Sequence, residues 1–124
     1  MTIKNNKDTK EFFFEEGCFI TEFWNELNDK EISIAQARLP AGQSTLPHAL
    51  KDTTERYFIL SGEGMVYVAS KQPETVRQND VVLIRPGETQ YIENTGQTDL
   101  VFLAICSPRF ESENYLDMTK QTDE

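Results

Sequence analysis

Gly42-Gln-Ser-Thr-Leu-Pro-His48-Ala-Leu50-Lys-Asp-Thr-Thr-Glu55-Arg-Tyr57-Phe-Ile-Leu-Ser-Gly62 is the stretch that decides the fold. It holds the single histidine of the chain and, seven residues on, a carboxylate that opens the β-rich run Tyr57-Phe58-Ile59-Leu60. A Ser-Gly turn closes that run. A second stretch, from Asn79 through Val81-Val82-Leu83-Ile84 and Arg85-Pro86-Gly87 to Gln90 and Asn94, has the same build. In each, a strand and a tight turn lead polar residues onto one neighbourhood.

Outward from these stretches the chain reads as short strands separated by turns. Phe12-Phe13-Phe14 and Cys18-Phe19-Ile20 flank Glu15-Glu16-Gly17 as strand, turn and strand. Residues 21–27 continue as strand into the Asn28-Asp29-Lys30 turn, and 32–39 alternate as a half-buried strand. Further strands are expected at 55–60, 65–70, 74–77, 81–84, 90–94 and 100–106. Val81–Ile84 and Leu100–Ile105 are apolar at successive positions, which predicts strands covered on both faces. Residues 111–118 are expected to form one or two helical turns. Regular short strands without helical periodicity specify an antiparallel sandwich or barrel. The expected organisation is a flexible arm over 1–10, one domain over 11–118 and a disordered tail over 119–124.

The two stretches resemble the two motifs of the cupin family, small β-barrels that hold a metal in the barrel mouth. Gly42, His48, Glu55 and Gly62 stand at the first motif's positions, and Leu50 stands where a second histidine is expected. In the second motif Gly87 and Asn94 match, Asn79 replaces a glycine, Arg85 replaces a proline, and Gln90 occupies the histidine position. The resemblance spans residues 32–108 and implies an all-β, antiparallel, jelly-roll-like cupin barrel with short N-terminal strands and a brief C-terminal helical turn. It also implies a homodimer, to which the Phe-rich segments 12–14 and 19–24 are expected to contribute.

Composition narrows the partners. The 124 residues carry twelve basic and twenty-one acidic side chains, a net charge of −9. Nucleic acid and anionic membrane both call for a basic footprint, so neither is expected. The polar start of the chain predicts no signal peptide, and no apolar run reaches transmembrane length. Cys18 and Cys106 form no CxxC pair and read as small buried residues of a cytoplasmic protein.

Three readings of the polar cluster stay open. In the first, implied by the resemblance, His48, Glu55 and Gln90 hold a divalent transition metal (Fe, Mn, Ni or Zn) for isomerase, lyase or dioxygenase chemistry on a small polar metabolite. In the second, the cluster binds a small molecule without metal, and His48 and Glu55 serve as catalytic acid and base. In the third it is vestigial and the cupin is structural. Tyr57, Gln90 and Arg38 are the candidates to line the ligand pocket. Arg38 also reads as a surface residue, and Tyr57 as a core aromatic.

Overall fold

Alternation at period two carries through from sequence to structure. A computed structural model describes residues 1–119, and in it nearly every expected strand is present. The strands are β1 (Phe12–Phe14), β2 (Cys18–Trp24), β3 (Ser33–Leu39), β4 (His48–Leu50), β5 (Thr54–Ser61) and β6 (Gly64–Val68). They continue as β7 (Glu74–Val76), β8 (Val81–Ile84), β9 (Gln90–Asn94), β10 (Leu100–Ser107) and β11 (Tyr115–Asp117). Every pairing between them is antiparallel. A six-stranded sheet runs β1-β2-β3-β10-β5-β8, and a five-stranded sheet runs β11-β4-β9-β6-β7. The all-β, jelly-roll-like fold expected from the sequence is the one observed. No helix among the described residues is long and apolar enough to cross a membrane.

Side chains two apart share a face, so each strand sends one row inward. On β5 the buried row is Glu55, Tyr57 and Ile59; on β10 it includes Leu100, Phe102 and Cys106; on β3 it includes Ser33, Ala37 and Leu39. The smaller sheet answers with Val66 from β6 and with Gln90, Ile92 and Asn94 from β9. Register then sorts these rows by chemistry. Cys106 lies opposite both Glu55 and Ser33 in the large sheet, and His48 lies opposite Gln90 in the small one. The polar residues therefore collect towards one end of the interior, while Leu39, Ile59, Leu100 and Phe102 belong to the apolar core.

Two local expectations are revised. Val81 and Leu83 are 61 % and 47 % exposed, so β8 is covered on its inner face only. It is the outermost strand of its sheet, and among the described residues its outer side stays open to solvent. The segment after Phe110 makes a single 3₁₀ turn (Ser112–Asn114) and then pairs as β11 against β4, where helical turns alone were expected. The segment ahead of β1 lies beside the end of β2, with Lys4 Nζ and Asn6 Nδ2 donating to the Phe23 carbonyl at 3.0 and 3.2 Å. The expected tail lies, from residue 120 onward, outside the described residues.

The turn positions explain one departure from the family pattern. Asn79 has φ of 74°, the left-handed region that asparagine tolerates better than most residues, so it can stand where a glycine is usual. Asn94 braces its turn: Nδ2 donates to the carbonyls of Leu39 and Thr98, and Oδ1 accepts the Gly96 N–H. Gly62 has no such latitude. Its φ is +90°, and a Cβ there would sit 2.6 Å from the Asp99 carbonyl oxygen and 2.8 Å from Leu100 Cα. Gly62→Ala is expected to cost about 2–4 kcal/mol of stability through strain and backbone collision. Thermal unfolding checks this, and a variant melting within a degree of the parent contradicts it.

Candidate functional site

The polar end of the interior is assembled around the backbone of Leu46. Its N–H donates to the Glu16 carbonyl at 2.7 Å, which pins the β1–β2 turn to the loop ahead of β4. Its own carbonyl lies 2.7 Å from His48 Nδ1. A carbonyl only accepts, so Nδ1 carries a proton, and Nε2 is the ring nitrogen turned towards Glu16. Gly17 makes the turn possible: its φ is +104°, and a Cβ there would meet the Ser44 carbonyl oxygen at 3.2 Å. The result places Glu16 Oε1 3.7 Å from His48 Nε2. Tyr115 of β11 stacks on the imidazole with centroids 5.3 Å apart, and Phe14 meets Tyr115 edge-on at 5.3 Å.

A second carboxyl faces the first from the large sheet. Glu55 accepts a hydrogen bond from Gln90 Nε2 at 2.7 Å, and Gln90 Oε1 in turn accepts from the Tyr57 hydroxyl. Each carboxyl also has a thiol neighbour. Cys18 Sγ donates to Glu16 at 3.5 Å, and Cys106 Sγ lies 3.8 Å from Glu55. Burial raises the pKa of Glu16 to about 7 against the weaker opposing effect of the Cys18 contact, with Glu15 adding to the rise. Burial likewise raises Glu55 to about 7, and the nearby charge of Glu16 adds to it while His48 and Gln90 pull the other way. Both thiols are pushed up by burial first and then by these carboxyls, so they are protonated, as buried structural cysteines are.

The two carboxyls border a cavity of about 80 Å³ between the N-terminal hairpin and the inner face of the large sheet. Phe12, Phe14 and Ile20 line it from the hairpin, Ala35 and Ala37 from β3, Tyr57 from β5, and Phe102 and Ala104 from β10. His48 and Gln90 are not among the lining residues. Gln90 hydrogen-bonds Glu55, and His48 approaches Glu16 at 3.7 Å.

The structure thus links Glu55, Gln90 and Tyr57 in one hydrogen-bond network, sets His48 opposite Gln90 in register and beside Glu16, and leaves Arg38 apart. Arg38 alternates with the inward-facing Ala37 and Leu39, so it is carried to the outer face of β3. There it pairs with Glu11 at 2.9 Å and Asp99 at 3.3 Å, and its guanidinium lies 4.5 Å from the Phe19 ring centroid. The expectation that it lines the pocket is corrected by that parity. Glu16 is the residue that sequence reasoning missed. It sits in a turn, where alternation predicts no direction, and its place beside His48 depends on the distant bond to Leu46.

These residues do not fit a divalent metal. The family position for a second imidazole carries Leu50, which has no lone pair to give. Gln90 spends its amide oxygen on Tyr57 and turns its N–H donors to Glu55, so it offers no oxygen to an ion shared with that carboxylate. Among the described residues no three His, Cys, Asp or Glu side chains converge as a metal shell requires.

Comparison with known proteins places this site in context. A family model described as a cupin domain matches residues 35–106. An oxalate-binding protein of Thermotoga maritima is 38 % identical over 79 residues, which cover 64 % of this chain and 64 % of that relative's own length. An uncharacterized protein of Methanocaldococcus jannaschii is 30 % identical over 107 residues, 85 % of each chain. Among solved structures, a predicted oxalate decarboxylase from Thermotoga maritima superposes with a TM-score of 0.73 at 28 % identity, covering 87 % of this chain and 99 % of that one.

The raised carboxyls give stability a definite pH dependence. Their unfolded value is 4.5 and their folded value about 7, so between those limits the native state keeps protons that the unfolded chain has released. Their contribution is present in full below about pH 4.5 and is lost as pH rises through about 7. Between pH 5 and pH 7.5 the wild type is expected to lose about 2 kcal/mol of stability from each of the two carboxyls. Paired Glu16→Gln and Glu55→Gln substitutions should remove most of that slope. Equal slopes in calorimetric melts of the two proteins contradict the assignment.

Proposed function

The chain belongs to the cupin family, and we propose that it binds a small organic molecule in its cavity without a resident metal and exchanges a proton with it through Glu16 and Glu55. The observation that carries this reading is the arrangement of the two carboxyls. They border one cavity and are backed, one by His48 and the other by Gln90 and Tyr57. Near neutral pH such a pair holds about one proton between its members, so one carboxyl can accept a proton while the other donates one. That suits the isomerase or lyase class, in which a proton leaves a carbon beside a carbonyl and returns elsewhere. His48 Nε2 stands 3.7 Å from Glu16 Oε1 and positions that carboxyl. Gln90 and Tyr57 keep Glu55 oriented; neither needs to touch the ligand's reacting atoms.

The relatives' names point to oxalate. In this cavity an oxalate dianion would meet Glu16 and Glu55, with no lysine or arginine among the lining residues to balance it. An uncharged or cationic ligand suits the same walls better. The homodimer expected from the family belongs to this proposal as well. Phe13, Val81 and Leu83 stand exposed on the outer face of the large sheet, and a second copy of the chain is the partner that would cover them.

The reading is tested by titrating labelled protein, with EDTA present throughout, against small alcohols, amides, amines and carboxylic acids. At least one class should shift the amide resonances of Phe14, Glu16, Glu55 and Cys106 and raise the melting temperature, since a ligand selective for the native state stabilises it. Binding that appears only after Mn(II), Fe(II), Ni(II) or Zn(II) is added, and vanishes with EDTA, would overturn it.

A further inference from the structure

Three glutamates and five aromatic rings share the wall of the cavity. The glutamates are Glu16, Glu22 and Glu55, and the rings belong to Phe12, Phe14, Tyr57, Phe102 and Phe110. No lysine, arginine or histidine lines the same space. Arg38 of β3 is committed on the outer face to Glu11 and Asp99. We propose that the cavity is built for an organic ammonium ion carrying a short apolar body. The inference rests on the metal-free pocket described above and names the class of ligand that it takes.

Two independent features of the wall favour a positive head group. The first is its rings. Phe14 and Phe110 meet edge-on at 6.4 Å, and Tyr57 and Phe102 are tilted by 52° with centroids 4.5 Å apart. Rings set at such angles present faces as well as edges to the space between them, and a ring face attracts a cation through its quadrupole. The second is charge. An anion would add to the carboxyls, and an uncharged head would leave them as they are. An ammonium offsets the charge of whichever carboxyl is ionised and donates hydrogen bonds to its oxygens.

The rest of the wall suits the ligand's body. Ile20, Ala35, Ala37 and Ala104 supply alkyl surface beside the rings. Glu22 lies at the exposed end, where Asn25 Nδ2 holds its carboxylate at 2.9 Å, a first acidic contact for an arriving cation. An inorganic divalent ion is not the alternative, because the described residues offer no converging set of three ligating groups.

The test compares three molecules with the same branched body: 3-methylbutylamine, 3-methylbutanol and 3-methylbutanoate. Each is titrated by NMR at neutral pH with EDTA, in about 0.3 M NaCl so that the attraction of a strongly acidic surface is screened. The amine is expected to bind about tenfold or more tighter than the alcohol, with the carboxylate weakest. Nuclear Overhauser contacts should run from its methyl groups to the Phe14 and Phe102 rings. Glu16→Gln and Glu55→Gln should each weaken the amine about tenfold and leave the alcohol within about twofold. If the alcohol or the carboxylate binds as tightly as the amine, the ammonium inference falls and the metal-free pocket stands. If none of the three shifts a resonance, both fall. Amine binding untouched by either substitution places the amine elsewhere and overturns the inference, and the wild-type comparison decides the matter even should a variant not fold.

Discussion

The site depends on one residue whose side chain takes no part in it. Leu46 uses its backbone twice: its N–H holds the Glu16 carbonyl, and its carbonyl holds His48 Nδ1, each at 2.7 Å. The first bond fixes where the N-terminal hairpin lands. The second fixes the tautomer and plane of the imidazole, which Tyr115 then covers. Each hydrogen bond is worth only about 1 kcal/mol net, yet together they decide which groups border the cavity. Were the hairpin shifted, Glu16, Phe12 and Phe14 would all leave the wall, and the large sheet alone would supply Glu55 without a partner.

The second constraint is the alternation of β5 and β9. Glu55 and Gln90 occupy positions in their inward rows that an apolar residue would otherwise take, and both are buried. A buried carboxyl is tolerated only with hydrogen-bond partners, or as its protonated form. The Tyr57–Gln90–Glu55 chain provides partners, and the raised pKa keeps a proton within reach. In this arrangement Gln90 works as a clamp on Glu55. That role differs from the ligand role its position in the family motif suggests. With Leu50 at the other imidazole position, His48 is the single imidazole the chain supplies.

Much of this was legible before any coordinates. The run from Glu55 to Leu60, the Gly62 turn and the strands at 81–84 and 90–94 all follow from alternation and punctuation, because those signals are local. The grouping of His48, Glu55, Tyr57 and Gln90 followed from motif spacing, which encodes register. What could not be read had a different physical origin. The placement of Glu16 is set by a bond to a residue thirty positions away, and turns carry no parity. Arg38 required knowing which face of β3 points inward. Alternation alone does not say, since Ile34 and Ala35 are equally plausible core residues and the buried row proved to begin at Ser33. The exposure of Val81 and Leu83 depends on β8 being an outermost strand, and β11 exists only because the chain returns to pair with β4.

We propose that two inward-facing carboxyls, rather than a metal shell, form the polar end of the cavity. Carbon-13 NMR of glutamate-labelled protein tests it most directly, by following side-chain carboxyl carbons across pH with Glu16→Gln and Glu55→Gln as assignments. The account predicts two carboxyls titrating near pH 7, one lost in each variant, with neither moved by EDTA. Two carboxyls that titrate in the ordinary range near 4.5, or that shift only when a divalent ion is supplied, would contradict it.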